Sequence, residues 1–126
     1  MTGITYDTGA LLTAERGNRR VWALHRRALE RGVSPTVPAG VLGQAWRGGP
    51  QPQLSQLLAG CAIEDLTEVR SRAAGAACGR AGLDDIVDAT VVVGAVTRGD
   101  LVVTSDPDDL ALIANALRRR LDLQPV

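Results

Sequence analysis

Short β-forming runs alternate with longer helical stretches along the whole of this chain, and that rhythm leaves few folds open. Residues 3–6, 34–37, 61–63, 101–104 and 121–126 read as strands. Between them, apolar residues recur at helical spacing through residues 10–12, 21–29, 39–46, 53–58, 67–78, 85–96 and 107–117. Gly32, the Gly48-Gly49-Pro50 turn and Gly99 close three of these helices, and Thr67 is placed to cap another. The stretch 85–96 has helical length, although Val87 and the run from Thr90 to Val93 are β-branched and work against it. Leu101-Val102-Val103-Thr104 is the continuously apolar kind of strand that a parallel sheet buries on both faces. Alternation on this scale predicts an α/β three-layer sandwich with a mostly parallel sheet. At 126 residues the chain holds one domain, spanning 1–126.

The residues available for that core and its surface exclude several kinds of chemistry. Only Tyr6, Trp22 and Trp46 are aromatic, so the core must be aliphatic, with the two indoles expected in packing roles. Fourteen Arg balance fourteen acids and there is no Lys. A uniformly basic nucleic-acid surface is therefore excluded, while a local patch is not. Schiff bases, the Walker A phosphate loop and lysine-dependent phosphotransfer sites are excluded outright. Cys61 and Cys78 lack CxxC spacing, so zinc is not expected and both read as reduced thiols. No apolar run approaches the ~20 residues that span a bilayer, and the first residues lack a basic leader. The expectation is a soluble, cytoplasmic protein. His25 has no partner at its own helical spacing and reads as a surface or half-buried residue.

Ten of the acids are Asp, and several fall where a parallel sheet binds its ligands, at the carboxyl ends of the strands. Asp7 follows the first strand, and Asp106 follows the fourth within Thr104-Ser105-Asp106-Pro107-Asp108-Asp109. Asp85 and Asp88, three apart, share one helical face. Asp7 and Asp106 also suit helix caps, and Asp106 with Asp109 has capping-box spacing. Asp88 is harder to explain structurally. It sits among Ile86, Val87, Ala89 and Val91, where an unpaired carboxylate is costly, and its nearest Arg in sequence are Arg80 and Arg98. If Asp7, Asp88 and Asp106 converge, two carboxylates about 4 Å apart repel by roughly 4 kcal/mol at an effective dielectric near 20. Clustered oxygen ligands without His or Cys select a hard ion such as Mg²⁺ or Mn²⁺, whose natural use is phosphodiester chemistry. Arg16, Arg19, Arg20 and Arg47 are placed to meet a phosphodiester substrate at the rim, while Arg26, Arg27 and Arg118 to Arg120 read as solvated faces.

The ordered set of a strand ending Asp7-Thr8, a helix ending Ala45-Trp46-Arg47-Gly48, then Val87-Asp88-Ala89, then Val103-Thr104-Ser105-Asp106 resembles a PIN domain. More narrowly, it is similar to the VapC-type toxin ribonucleases of type II toxin–antitoxin pairs. The resemblance implies a Mg²⁺ or Mn²⁺ endoribonuclease with Asp7, Asp88 and Asp106 as catalytic metal ligands. Asp109, or Asp108, would be an additional outer ligand. The family's second acid is a Glu, and Gln44 stands in its place, keeping an oxygen but no charge. Three readings stay open: a one-ion site of three Asp, a site completed by Asp85 or Asp109, or a non-catalytic module that sequesters antitoxin or RNA. The resemblance also implies a cognate VapB-like antitoxin covering the groove, an RNA substrate and a homodimer through helix faces such as residues 73–78.

Overall fold

The computed structural model describes residues 2–126. Five short strands, β1 (Ile4–Tyr6), β2 (Thr36–Pro38), β3 (Ala62–Glu64), β4 (Leu101–Thr104) and β5 (Asp122–Pro125), lie in the order β3-β2-β1-β4-β5, and every pairing is parallel. The expected sandwich is therefore present, with the sheet parallel throughout. Seven helices cover it: α1 (Thr8–Glu15), α2 (Arg19–Glu30), α3 (Ala39–Ala45), α4 (Pro52–Ala59), α5 (Glu68–Ala81), α6 (Ile86–Arg98) and α7 (Pro107–Ala116). Helix α1 packs on α2, α3 and α4, whereas α5, α6 and α7 pack on one another.

Local sequence sets most helix limits. Asn18 caps α2 by accepting from Arg20 N and Val21 N, and Thr67 caps α5 through Arg70 N. Gly82 and Gly99 end α5 and α6 in the left-handed conformation that a residue with a Cβ resists. Helix α6 forms despite its β-branched run because Ala89, Thr90, Val91 and Val92 are all buried. Burial of that kind outweighs the few tenths of a kcal/mol that separate helix propensities.

The core is aliphatic, with Leu11, Leu54, Leu57, Val91, Val102, Leu110 and Ile113 fully enclosed around one aromatic ring, Tyr6. Two expectations are corrected here. His25 is buried rather than superficial: it shares a 2.9 Å hydrogen bond between Nδ1 and the Tyr6 hydroxyl, and the Trp22 ring meets it edge-on. Trp46 is not a packing residue, since 43% of it is exposed. Trp22 is, with its Nε1 donating to Ala14 O at 2.9 Å. Cys61 and Cys78 are free thiols, and burial pushes Cys61 up to about 12.

A second polar assembly ties the sheet to the α5–α6 layer. Arg98 pairs with Glu64 and, at 2.9 Å, with Asp100, which is only 6% exposed, and Asp100 also accepts from the Thr5 hydroxyl at 2.8 Å. Arg70 joins through Glu64 at 3.6 Å. These head groups crowd the mid-helix Gly94, where a Cβ would meet Arg70 Nη1 and Glu64 Oε1 at 3.0 Å. Glycine is the residue that fits there.

Candidate active site

Consecutive strands run outward from β1 on one side and from β4 on the other, so the chain reverses direction between these two neighbours. A crevice opens at such a switch point, outside the carboxyl ends of the strands. Register then fixes which residues face it. Ile4 pairs with Leu101, Thr5 with Val102 and Tyr6 with Val103, which brings Asp7 beside Thr104. Asp7 N donates to Val103 O at 3.2 Å, extending the ladder by one step.

Asp7 is 5% exposed and both of its oxygens are occupied. Oδ1 accepts from Ala10 N at 2.8 Å, capping α1, and Oδ2 accepts the Thr104 hydroxyl. Burial raises its carboxyl above the usual range, and Asp106 adds to this, against the pull of those hydrogen bonds. The fully buried Thr104 also accepts from Asp106 N at 2.8 Å, so one hydroxyl links the two strand ends. Gly9 permits the close approach of α1 to the β4–α7 loop, since a Cβ there would lie 1.7 Å from Ser105 Oγ.

Asp88, Asp106 and Asp109 offer carboxylate oxygens all within 4.8 Å of one another. Asp7 stands outside that group. The grouping differs from the expected trio: Asp109 joins Asp88 and Asp106, while Asp7 is buried and tied to Asp106 through Thr104. Asp88 is half-buried at the start of α6, and burial lifts its carboxyl to about 7, with Asp85, Asp7, Asp106 and Asp109 adding their repulsion. Asp106 is raised as well, by desolvation and by Asp109. Its side chain makes no well-formed capping bond to α7, although the Asp109 N–H lies near enough to oppose part of that rise. Among the described residues, ion pairs engage only Arg70, Arg72, Arg98 and Arg120, so no guanidinium neutralises the group. Three unpaired carboxylates converging without His or Cys are a donor set that suits a hard divalent cation.

The remaining predicted residues divide. Asp85 caps α6, accepting from Asp88 N at 3.0 Å, and reaches the group only through its charge. Gln44 sits at the edge, its Oε1 accepting the Thr8 hydroxyl at 2.5 Å. Asp108 lies in the first turn of α7. Arg16 and Arg19 are exposed beyond the far end of α1. Arg47, expected to meet RNA, turns its guanidinium back on α3 and donates to the carbonyls of Gln44 and Trp46 at 2.6 and 2.9 Å. Thr104 was not anticipated as a site residue. Its signal was position: two residues before Asp106, at the end of a buried strand next to Asp7.

The sequence matches no family model and no curated protein. The backbone does have counterparts. A chain of the VapBC2 complex of Rickettsia felis, solved bound to a DNA fragment from their promoter, superposes with a TM-score of 0.67 over 98% of both chains at 14% identity. The protein has a PIN-like α/β/α fold. PAE2754 of Pyrobaculum aerophilum is similar as well, with a TM-score of 0.63 over 93% of this chain and 90% of that one, again at 14% identity. Identity this low means that the PIN fold here is a likeness of backbone, and the carboxylates must be argued from their own geometry.

Proposed function

We propose that this protein is a metal-dependent endoribonuclease, the toxin of a toxin–antitoxin pair. The observation that carries the proposal is the convergence of Asp88, Asp106 and Asp109 with no cationic side chain among them. These three would hold Mg²⁺ or Mn²⁺, with the charges of Asp7 and Asp85 close by. A bound ion of this kind activates water at neutral pH and stabilises the charge that develops in phosphodiester cleavage. The chain's own part is positional. Thr104 keeps Asp7 and Asp106 in register and the Asp85 cap orients the first turn of α6, while Arg16 and Arg19, one α1 length from Asp7, are placed to meet a more distant part of an RNA and not the rim. Gln44 lowers the charge of the site without dissolving it, which favours a single ion. A VapB-like antitoxin is the partner this reading calls for, supported by the likeness to a chain of VapBC2. A homodimer and a cytoplasmic location belong to the same reading. Among the described residues no helix is long and apolar enough to cross a membrane.

The test is cleavage of single-stranded RNA with Mn²⁺. Asp88→Asn and Asp106→Asn should each lower the rate by at least about a hundredfold while the fold persists, since each removes a metal ligand. Wild-type rates in both variants would overturn the assignment. Gln44→Glu should tighten metal binding; an unchanged affinity would place residue 44 outside the site.

A further inference from the structure

Helices α5 and α6 and the residues that follow α7 enclose a hollow of about 350 Å³. Its floor is aliphatic, built from Ala73 and Ala77 of α5, Val93 and Val96 of α6, and Leu117. Two guanidiniums stand on different walls, Arg80 in the last turn of α5 and Arg119 beyond α7. No carboxylate lines the hollow, and neither arginine takes part in an ion pair among the described residues. The chain fixes Arg119 in place. Arg118 takes the left-handed conformation, Arg119 N donates to Ala114 O at 3.0 Å, and Arg119 Nη2 donates to Val96 O at 3.0 Å. Its Nη1 and Nε stay open to a ligand. Thr97, the other polar side chain at the hollow, has spent its hydroxyl hydrogen on Val93 O at 2.7 Å. Asp88 lies eight residues before Val96, about 12 Å along the axis of α6, so the hollow is separate from the carboxylates.

We propose that this hollow is a binding site for a small amphiphilic carboxylate, its head group between Arg80 and Arg119 and its short apolar tail on the aliphatic floor. Size and lining select that chemistry. Small-molecule sites are apolar hollows of about 300 to 1,000 Å³ with a few polar groups that orient the ligand, and a volume at the low end of that range restricts the tail to a short one. The donors at this hollow are cationic, so an anion engages both while a neutral or cationic ligand leaves them idle. A carboxylate has two oxygens, which two guanidinium forks satisfy. A phosphate would turn its further oxygens toward alanine and valine, where nothing bonds to them. Covering Val93, Val96 and Leu117 removes apolar surface from water and supplies the rest of the affinity. Neither the aspartates nor a metal ion takes part, so the site stands apart from the nuclease reading.

The experiment titrates octanoate into the full metal-free chain by calorimetry at pH 7, with octanol as the neutral analogue and acetate as the head group alone. Octanoate should bind once per chain, and each analogue should bind at least about tenfold more weakly. Arg80→Gln with Arg119→Gln should lower octanoate affinity about tenfold and leave octanol unchanged. Ala76, exposed at the edge of the hollow, offers a second variant that the fold tolerates: Ala76→Phe fills the space and should abolish binding with the melting temperature kept. Arg26→Gln with Arg27→Gln, on α2, should have no effect. Equal affinities for octanoate and octanol would reduce the hollow to bare apolar surface and overturn the proposal, as would equal affinities for octanoate and acetate. Octanoate binding that survives both the arginine pair and Ala76→Phe lies elsewhere and overturns it too. So does an absence of binding at millimolar octanoate, or a dimer that Ala76→Phe dissociates, which assigns the hollow to a second copy of the chain.

Discussion

Asp88 is surrounded by four other aspartates and faces no guanidinium, so its proton is the part of the site most open to measurement. Unfolded, the carboxyl titrates near its ordinary value of about 4. Folded, burial and its neighbours hold it at about 7. Between those values the native chain keeps a proton the unfolded chain has lost, so unfolding free energy falls as pH rises through that window. Asp88 should therefore withdraw roughly 1–2 kcal/mol of stability from the metal-free protein between pH 5 and pH 7.5, once solvent screening at a half-buried position is counted. Buried His25, whose pKa burial lowers, gives a slope of the opposite sign, so the quantity to measure is the difference between the wild-type and Asp88→Asn profiles, with Asp88→Asn the more stable chain at neutral pH. Parallel profiles of the two chains between pH 5 and 7.5 would contradict the account. Thr104 gives a second prediction. Thr104→Val leaves a buried Asp7 oxygen and the Asp106 N–H without their partner, costing about 1–3 kcal/mol in denaturant unfolding, and Thr104→Ser should recover most of it. Sequence reading found Asp88 because a carboxylate among Val and Ala is an anomaly wherever it occurs. It missed Thr104 because a threonine ending a strand is ordinary until register sets Asp7 beside it.

Elements were legible where a local signal sufficed. The Thr67 cap, the glycine stop at Gly99 and the apolar run of β4 each declare themselves within a few residues. Boundaries moved where tertiary pairing decided them. The second and third strands lie at Thr36–Pro38 and Ala62–Glu64, later than the β-forming residues suggest, because pairing with β1 and with each other sets their limits. The Arg98 assembly had no sequence signature, since its members come from β1, β3, α5 and α6 and from the residue before β4. Arg98→Met should destabilise by about 2–3 kcal/mol, at or below the range for breaking a buried pair because Arg98 is itself partly exposed. Asp100→Asn combined with Arg98→Met should cost less than the two effects added, because both remove the same interaction. At the end of α7, Arg118 occupies the left-handed region at φ 53°, where most helices place glycine. Arg118→Gly should raise the melting point, with a gain of about 0.5–1 kcal/mol. A loss of stability would mean that the Arg118 side chain makes a contribution larger than its backbone strain.

Across the whole molecule, charge is separated rather than balanced locally. The carboxylates gather at the one place where a parallel sheet of this strand order opens a crevice, and unpaired arginines gather on α2. Composition hid this, because a net charge of zero says nothing about distribution. The parallel sheet followed from the alternation of elements, while its strand order and the meeting of Asp88 with Asp109 depended on how the elements pack and could not be read from spacing. A consequence for the whole chain is that stability should respond to divalent cations in a pH-dependent way. Ligand carboxylates must be ionised to bind metal, so protons compete for Asp88. At pH 8, Mn²⁺ at a hundred times its dissociation constant should add about 2.7 kcal/mol to the folding free energy. For a domain of this size that is a rise in melting temperature of several degrees. The increment should shrink toward pH 5, where Asp88 holds its proton, and it should be largely lost in Asp88→Asn at any pH. Asp88 thus acts in two opposing ways: without metal it costs stability as pH rises, and with metal the loaded chain gains on the metal-free one. Parallel melting curves with and without Mn²⁺ across this range would mean that Asp88, Asp106 and Asp109 tolerate their repulsion unaided, and the site would have to be read without an ion.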